Sequence, residues 1–566
     1  MSTIYAIMNT AKWALLTHQK SLQVASHNIA NVGTPGFSRQ EVILETATPL
    51  SSNPGQIGTG VRAEEVRRVY DRFLQSQLAK ESQILGRWQA RKGAVGQVAA
   101  IFDETSETGL SARMTEFWNA WQELANNPSG QAERTDLVLK ATSMAEMFNR
   151  AYSNLSDLRD QMDDLVSDGL DTVNTISTQI ANLNEKIASV EVTGQNANDY
   201  RDQRDQLLKD LSEMIDFNSF ESSDGMVTVF VAGGKPIVQG KISFSLQGET
   251  NSSGFYDVMW NDGKDNLTDI TSKIEQGKLG AWLEMRDDTI AGYIDQLNTL
   301  AQSMIGEVNR LHSSGVGLSY HTSLTTSYEA DPAASLASSA SGLPFWDEIV
   351  EGNGFSLWVY NTATQGETET SITVDPGDTL QDLGQKVDAV TGVSATVSGG
   401  YMTISADSGY EFHFSDDQSD VLMALGLNGF FDGTGASDMA VNSVIQNDVS
   451  KIAAATDHRA LPGDNRNALA IADLQNANLL AGNTATFDGY YNSLVGSVGA
   501  SLSDAKTATD HQESMVEHIE NRREEVSGVS LDEEMTNLME FQQAYEASAQ
   551  MIRVVGEMLD TVMSLV

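Results

Sequence analysis

From Leu531 to Val566 the chain sets Leu531, Met535, Leu538, Gln542, Tyr545, Ala549, Ile552, Gly556, Leu559, Met563 and Val566 at alternating steps of four and three. Only Gln542 and Gly556 interrupt this apolar seam, so the segment predicts one coiled-coil-like helix of about 54 Å. The head of the chain repeats the pattern with Ile4, Met8, Ala11, Leu15, His18, Leu22, Ala25 and Ile29, which predicts a helix of about 40 Å broken only at His18. Its stop is legible: Asn31 and Gly33 can take the left-handed C-cap conformation, and Pro35-Gly36 cannot continue a helix. One seam against one short partner helix gains little over the entropy of ordering it, so both terminal helices are expected to order fully only among equivalent helices of neighbouring copies.

The interior has other periods. Glu41 to Leu44 and Val61 to Val69 read as short strands around the turn Ser51 to Gly55, and helix returns near Asp71. A long helical pattern follows: Leu155, Leu158, Met162 and Leu165, then after a stutter Gly169, Val173, Ile176, Ile180, Leu183, Ile187 and Val190. Residues 226 to 260 alternate with period two before helix resumes from about Gly280 to Leu311. A Ser, Thr, Ala and Gly-rich stretch from Ser319 to Gly342 leads into strands at Phe355 to Tyr360, Glu369 to Val374, Tyr401 to Ser405 and Tyr410 to Phe414. Helix is expected again near Ser443, from Asn465 to Ala481, and from Tyr490 to Val526. This nesting predicts an α+β chain, elongated and multi-domain, with a discontinuous helical stalk of paired N- and C-terminal helices and a β-rich inserted outer domain. The expected boundaries are 1–36 with 520–566 for the terminal helical domain, 37–320 with 441–519 for a rod-like domain, and 321–440 for the outer domain. The rod-like domain would carry β insertions at about 38–70 and 217–262.

Charge and composition exclude several classes. Thirty-five basic against 78 acidic residues leave a net charge of -43, which repels nucleic acid and anionic membranes. No stretch approaches the roughly 20 apolar residues of a membrane span, and Asn9, Thr10 and Lys12 break any signal-peptide core. With no cysteine in the chain, disulfides, thiolate metal sites and cysteine nucleophiles are excluded.

The run Ser26-His27-Asn28-Ile29-Ala30-Asn31-Val32-Gly33-Thr34-Pro35-Gly36-Phe37-Ser38-Arg39-Gln40 resembles a signature shared by bacterial flagellar rod, hook and hook-associated proteins. The tail, Ser527 to Met535 continuing through Phe541-Gln542-Gln543-Ala544-Tyr545-Glu546-Ala547-Ser548-Ala549, resembles the C-terminal signature of the same axial-protein family. The resemblance implies a structural protein without cofactor or catalysis, assembling into a ring that joins hook to filament. It also implies self-association, contact with the hook protein and with the next junction protein, and an export chaperone on the C-terminal helix. An extracellular place in the flagellum would follow, reached without a cleaved signal peptide. Asn28, Ile29, Ala30, Asn31, Thr34, Pro35, Gly36, Phe37, Ser38, Arg39 and Gln40 would form the assembly motif, flanked by the two seams. Two alternatives stand beside this reading: hook protein or flagellin, and a surface adhesin or secreted enzyme whose work lies in residues 321–440.

Taken without the resemblance, the same motif is a helix terminus and turn. Gln542 and Gly556 are either tolerated or fix register and allow close helix approach, Tyr545 reads as core, and His18 as a hydrogen-bonded or pore-facing histidine rather than a pH switch. No G-x-S-x-G, H-E-x-x-H or P-loop occurs; Ala232-Gly233-Gly234-Lys235-Pro236 lacks the loop and the following Ser or Thr. His511 and His518 beside Glu517 are a weak metal pattern, and Ser415 to Asp420 and Asn261 to Asp265 share only acidity with cation loops. No metal or cofactor site is expected.

Overall fold

The computed structural model describes residues 2–52, 55–102, 109–264 and 266–564. In chain order the helices are α1 (Ser2–Ala30), α2 (Arg72–Ile101), α3 (Leu110–Asn126), α4 (Gln131–Glu191), α5 (Asn198–Met214), α6 (Gly277–Glu284), α7 (Ile290–Ser313), α8 (Leu380–Asp388), α9 (Val421–Ala424), α10 (Ser443–Asn447), α11 (Arg466–Asp473), α12 (Phe487–Ser527) and α13 (Leu531–Ser564). The strands form small sheets whose described pairings are antiparallel. The fold is α+β and mainly helical. Two compact units divide the chain, residues 1–94, 160–286 and 503–566 in the first and 95–159 and 287–502 in the second.

The first unit is built where the second part of α4 meets two sheets. Val173, Ile180, Val229, Ile237, Val258 and Leu279 share one apolar core, and two amides on α4 fix the strands against it. Asn184 donates to the carbonyls of Val227 and Gly240, each at 2.8 Å, and accepts from the Val227 N–H at 3.0 Å. Asn174 makes the same two-way contact with Leu246, both at 2.8 Å. Such bonds satisfy sheet-end groups that burial would otherwise leave unpaired. Gly277 opens α6 at φ +74, and a Cβ there would sit 2.6 Å from the Met214 backbone, so only glycine permits this approach. In the same unit α1 lies along α13, and the arm of strands Gln40–Thr46 and Val61–Arg68 packs on α1.

The second unit centres on an aromatic cluster. Trp121 of α3 lies 5.1 Å from Phe430, and Phe117 lies 5.5 Å from Phe431. Asn309 of α7 holds that segment in place, accepting the Phe430 and Phe431 N–H groups at 2.8 Å and donating to the Phe431 carbonyl at 2.8 Å. The strands Gly354–Asn361, Gly366–Thr373 and Tyr410–Ser415 form a sheet with Gly354–Asn361 in the middle. Helix α8 starts at a capping box, Thr379 and Asp382 each bonding the other's backbone N–H.

Several expectations need correction. Residues 321–440 lie within the second unit, where Phe430 and Phe431 pack on Phe117 of α3. The long helix begins at Gln131, well before Leu155. Its buried stripe runs through Val166 and Leu170, leaving Leu165 36% exposed, because the phase shifts by one residue where the two apolar neighbours offer a choice. Helix stops at Asp473 and short turns replace the rest of the expected segment to Ala481. Asn31 and Gly33 are not left-handed; the first positive φ after α1 is at Gly36, +78. The Asn31 side chain instead donates to the His27 carbonyl at 3.0 Å, which removes the need for a left-handed cap. Asn53, Pro54, Asp265 and Val566 lie outside the described residues.

Candidate assembly site

The segment that follows α1 is held by side chains from elements far away in the sequence. Asn28, buried, donates to the Gln40 carbonyl at 2.9 Å and accepts the Gln40 N–H at 3.0 Å, so the loop 31–39 is closed at its base. Inside it Thr34 donates to the Asn31 side chain at 3.2 Å, and the Phe37 ring meets His27 edge-on at 5.5 Å. A Cβ on Gly36 would lie 2.9 Å from Oε1 of Gln206, so α5 passes close beneath the turn. Ile29 is half-buried and Ala30, Thr34 and Pro35 are exposed.

Two carboxylates on α5, the Ser527 carbonyl of α12 and Glu533 of α13 receive this loop. Ser38 N–H donates to Asp202 at 3.0 Å, and Gln40 Nε2 donates to Asp199 at 2.7 Å. Arg68 bridges Asp202 and Asp205 at 2.8 and 2.7 Å, with all three side chains largely buried. Burial pushes the Asp202 carboxyl up, while Arg68 and the Ser38 N–H pull it back towards ionisation. Arg39 N–H donates to the Ser527 carbonyl at 2.7 Å, and its guanidinium pairs with Glu533 at 2.7 Å. Glu534, next along, is buried, and that burial raises its carboxyl above the usual range. The motif therefore fastens the end of α1 to α5 and to the turn between α12 and α13. A groove of about 610 Å³ beside it is lined by His27, Phe37, Lys186, Asp199, Gln203 and Gln206, among others.

Removing the Asn28 amide leaves the buried Gln40 N–H and carbonyl without partners, so Asn28→Ala is expected to destabilise the assembled form, in which α1 is ordered, by about 1–3 kcal/mol per chain. Denaturant dissociation of the assembled polymer checks it; an unchanged midpoint contradicts it.

The two seams fare differently. Ile4, Met8, Ala11, Leu15, Leu22 and Ala25 are all buried or half-buried. On α13 the covered stripe runs through Glu534, Leu538, Phe541, Tyr545, Ser548, Ile552, Val555, Leu559 and Val562. Leu538, Tyr545, Ile552, Gly556 and Leu559 of the expected seam lie on or beside it. Leu531, Met535, Gln542, Ala549 and Met563 do not; they face outward. A single neighbouring helix covers only one narrow strip, and α13 carries more apolar surface than that strip. Met535, Met539, Met551, Met558 and Met563 remain 50 to 68% exposed. On α1, Tyr5, Trp13 and Leu16 are 43 to 51% exposed.

Sequence reasoning missed Asp199, Asp202, Asp205, Arg68 and Glu534. The one available signal was the spacing of the three aspartates at i, i+3 and i+6, which puts them on one helix face.

The helical domain of flagellar hook-associated protein FlgK matches residues 95–324, and the C-terminal domain of flagellar basal body rod FlgEFG proteins matches residues 521–565. Flagellar hook-associated protein 1 of Escherichia coli K12 is 27% identical over 570 residues, spanning 99% of this chain and 100% of that protein. The protein of the same name from Bacillus subtilis 168 is 27% identical over 572 residues, spanning 100% and 99%. Along its whole length the chain resembles flagellar hook-associated protein 1. A solved structure titled as the flagellar hook junction protein FlgK from Burkholderia pseudomallei shares its fold, with a TM-score of 0.54 at 17% identity over 80% of this chain and all of that one. With these relatives it shares a structural rather than a catalytic role, in the extracellularly exposed flagellum and assembled with other axial components. Among the described residues no helix is long and apolar enough to cross a membrane.

Proposed function

We propose that copies of this chain associate through α1 and α13 into a ring that links the flagellar hook to the filament. The observation that carries this is on α13: of its 34 residues only Glu534, Ser548 and Val555 are buried, while Met535, Met539, Met551, Met558 and Met563, spread over both flanks of the covered strip, stay in water. Apolar side chains exposed along both flanks of one helix are a surface for sister helices. Residues 1–36 and 520–566 supply this self-association, and the Asn28 to Gln40 motif sets the angle at which α1 and α13 are presented. The hook protein and the next junction protein are the axial neighbours on either side. An export chaperone would cover the exposed methionines of α13 before assembly, and the chain would leave the cell through the flagellar export channel without a cleaved signal peptide.

Deleting the coding gene in the source bacterium tests the proposal. Cells are expected to keep their hooks, carry no filaments and release unassembled filament protein into the medium, with filaments restored by the full-length chain. Normal filaments in the deletion strain would overturn it.

A further inference from the structure

The sheet of the second unit has two unlike faces. Phe355, Leu357, Val359, Phe412 and Phe414 point into the core. On the other face, strand register sets Trp358 opposite His413 and Tyr360 opposite Glu367, which brings an imidazole and a carboxylate to one side of the sheet. The turn His458–Ala460 delivers a second imidazole to the same place. One nitrogen from each ring and one carboxylate oxygen lie within 4.8 Å of one another.

The arrangement is that of ligands in need of a common partner. His413 is buried, and its Nε2 has no hydrogen-bond partner among the described residues, while its Nδ1 faces the Phe414 carbonyl at 3.4 Å. That second contact favours the tautomer in which Nδ1 carries the proton and Nε2 presents a lone pair. His458 is buried too, and its Nε2 lies 2.7 Å from Glu367 without the alignment of a hydrogen bond. The Tyr320 hydroxyl donates to the other Glu367 oxygen at 3.3 Å, the kind of outer contact that orients a ligating carboxylate. Trp358, parallel to His413 at 6.0 Å and 4.5 Å from His458, walls the site, and Arg459 above Trp358 is the competing positive charge. Glu367, its side chain 25% exposed, marks the open side.

We infer that Glu367, His413 and His458 bind a divalent transition cation of the zinc class, which clasps the 456–460 segment to the sheet. Two imidazoles and one carboxylate suit such an ion and leave a position for water. Ligand bonds of about 2.0–2.2 Å require small rotations that separate His458 from Glu367 and draw the third atom inward.

The test uses the untagged full chain, stripped with a chelator, dialysed and titrated with ZnCl₂ by calorimetry, with CoCl₂ absorption reporting the coordination. One equivalent of zinc per chain and the visible bands of low-coordinate cobalt are expected. His413→Ala and His458→Ala should weaken binding by at least about tenfold, and the milder Glu367→Gln also weakens it, serving where an alanine variant fails to fold. The exposed pair His511→Ala/His518→Ala should bind as the parent does. No bound equivalent in the parent, retention in folded His413→Ala or Glu367→Gln, or loss in the His511/His518 variant would each overturn the inference.

Discussion

A chain ending at Ser530 is expected to be exported in normal amount and yet leave hooks without filaments. The truncation removes α13 whole, and with it the neighbour of α1 and the Arg39–Glu533 pair at 2.7 Å. Each large half-buried side chain on the lost stripe, Leu538, Tyr545, Ile552 and Leu559 among them, contributes on the order of 1 kcal/mol in the isolated chain. The larger loss is the set of exposed methionines Met535, Met539, Met551, Met558 and Met563. The second unit, residues 95–159 and 287–502, loses no residue and should still fold. Immunoblots of the culture medium with filament counts on the same cells measure both parts. Export with near-complete loss of filaments is expected; normal filaments contradict the account.

Most helices and strands were legible because their signals are local. The seam of α1, the strands at 354–361 and 410–415 and the start of helix after Asp71 each follow from a repeat of two or about 3.6 residues. What failed were choices of phase. Leu165 and Val166 are adjacent and both apolar, and only the sheet packed on α4 decides that Val166 goes inside. On α13 apolar residues lie on more than one face, Leu538, Tyr545 and Ile552 on one, Met535 and Met539 on one flank of it and Met551 and Met558 on the other. Periodicity cannot say which of them meets α1.

The candidate site was half legible. Asn28, Ser38, Arg39 and Gln40 stand out as a motif, but their partners lie far along the chain: Asp202 is 164 residues from Ser38 and Glu533 is 494 from Arg39. Pairing over such separations leaves no periodic trace. The cluster of Glu367, His413 and His458 was invisible for the same reason, being assembled from two strands and a turn. A shift in composition such as that near Ser319 marks a change of secondary structure, whereas a domain edge depends on which side chains share a core.

The central claim is that the head and tail helices become solid together only among sister molecules. Helix α7 buries half of its 24 residues, whereas α13 buries Glu534, Ser548 and Val555 alone, so α13 should open at low free-energy cost in an isolated chain. Backbone amide exchange on a dilute monomer and on the assembled polymer measures this directly. Residues 4–30 and 531–564 are expected to exchange rapidly in the monomer and to gain protection on the order of a hundredfold in the polymer, equivalent to about 2.7 kcal/mol. Strong protection of both segments already in the monomer, or none gained on assembly, would contradict it.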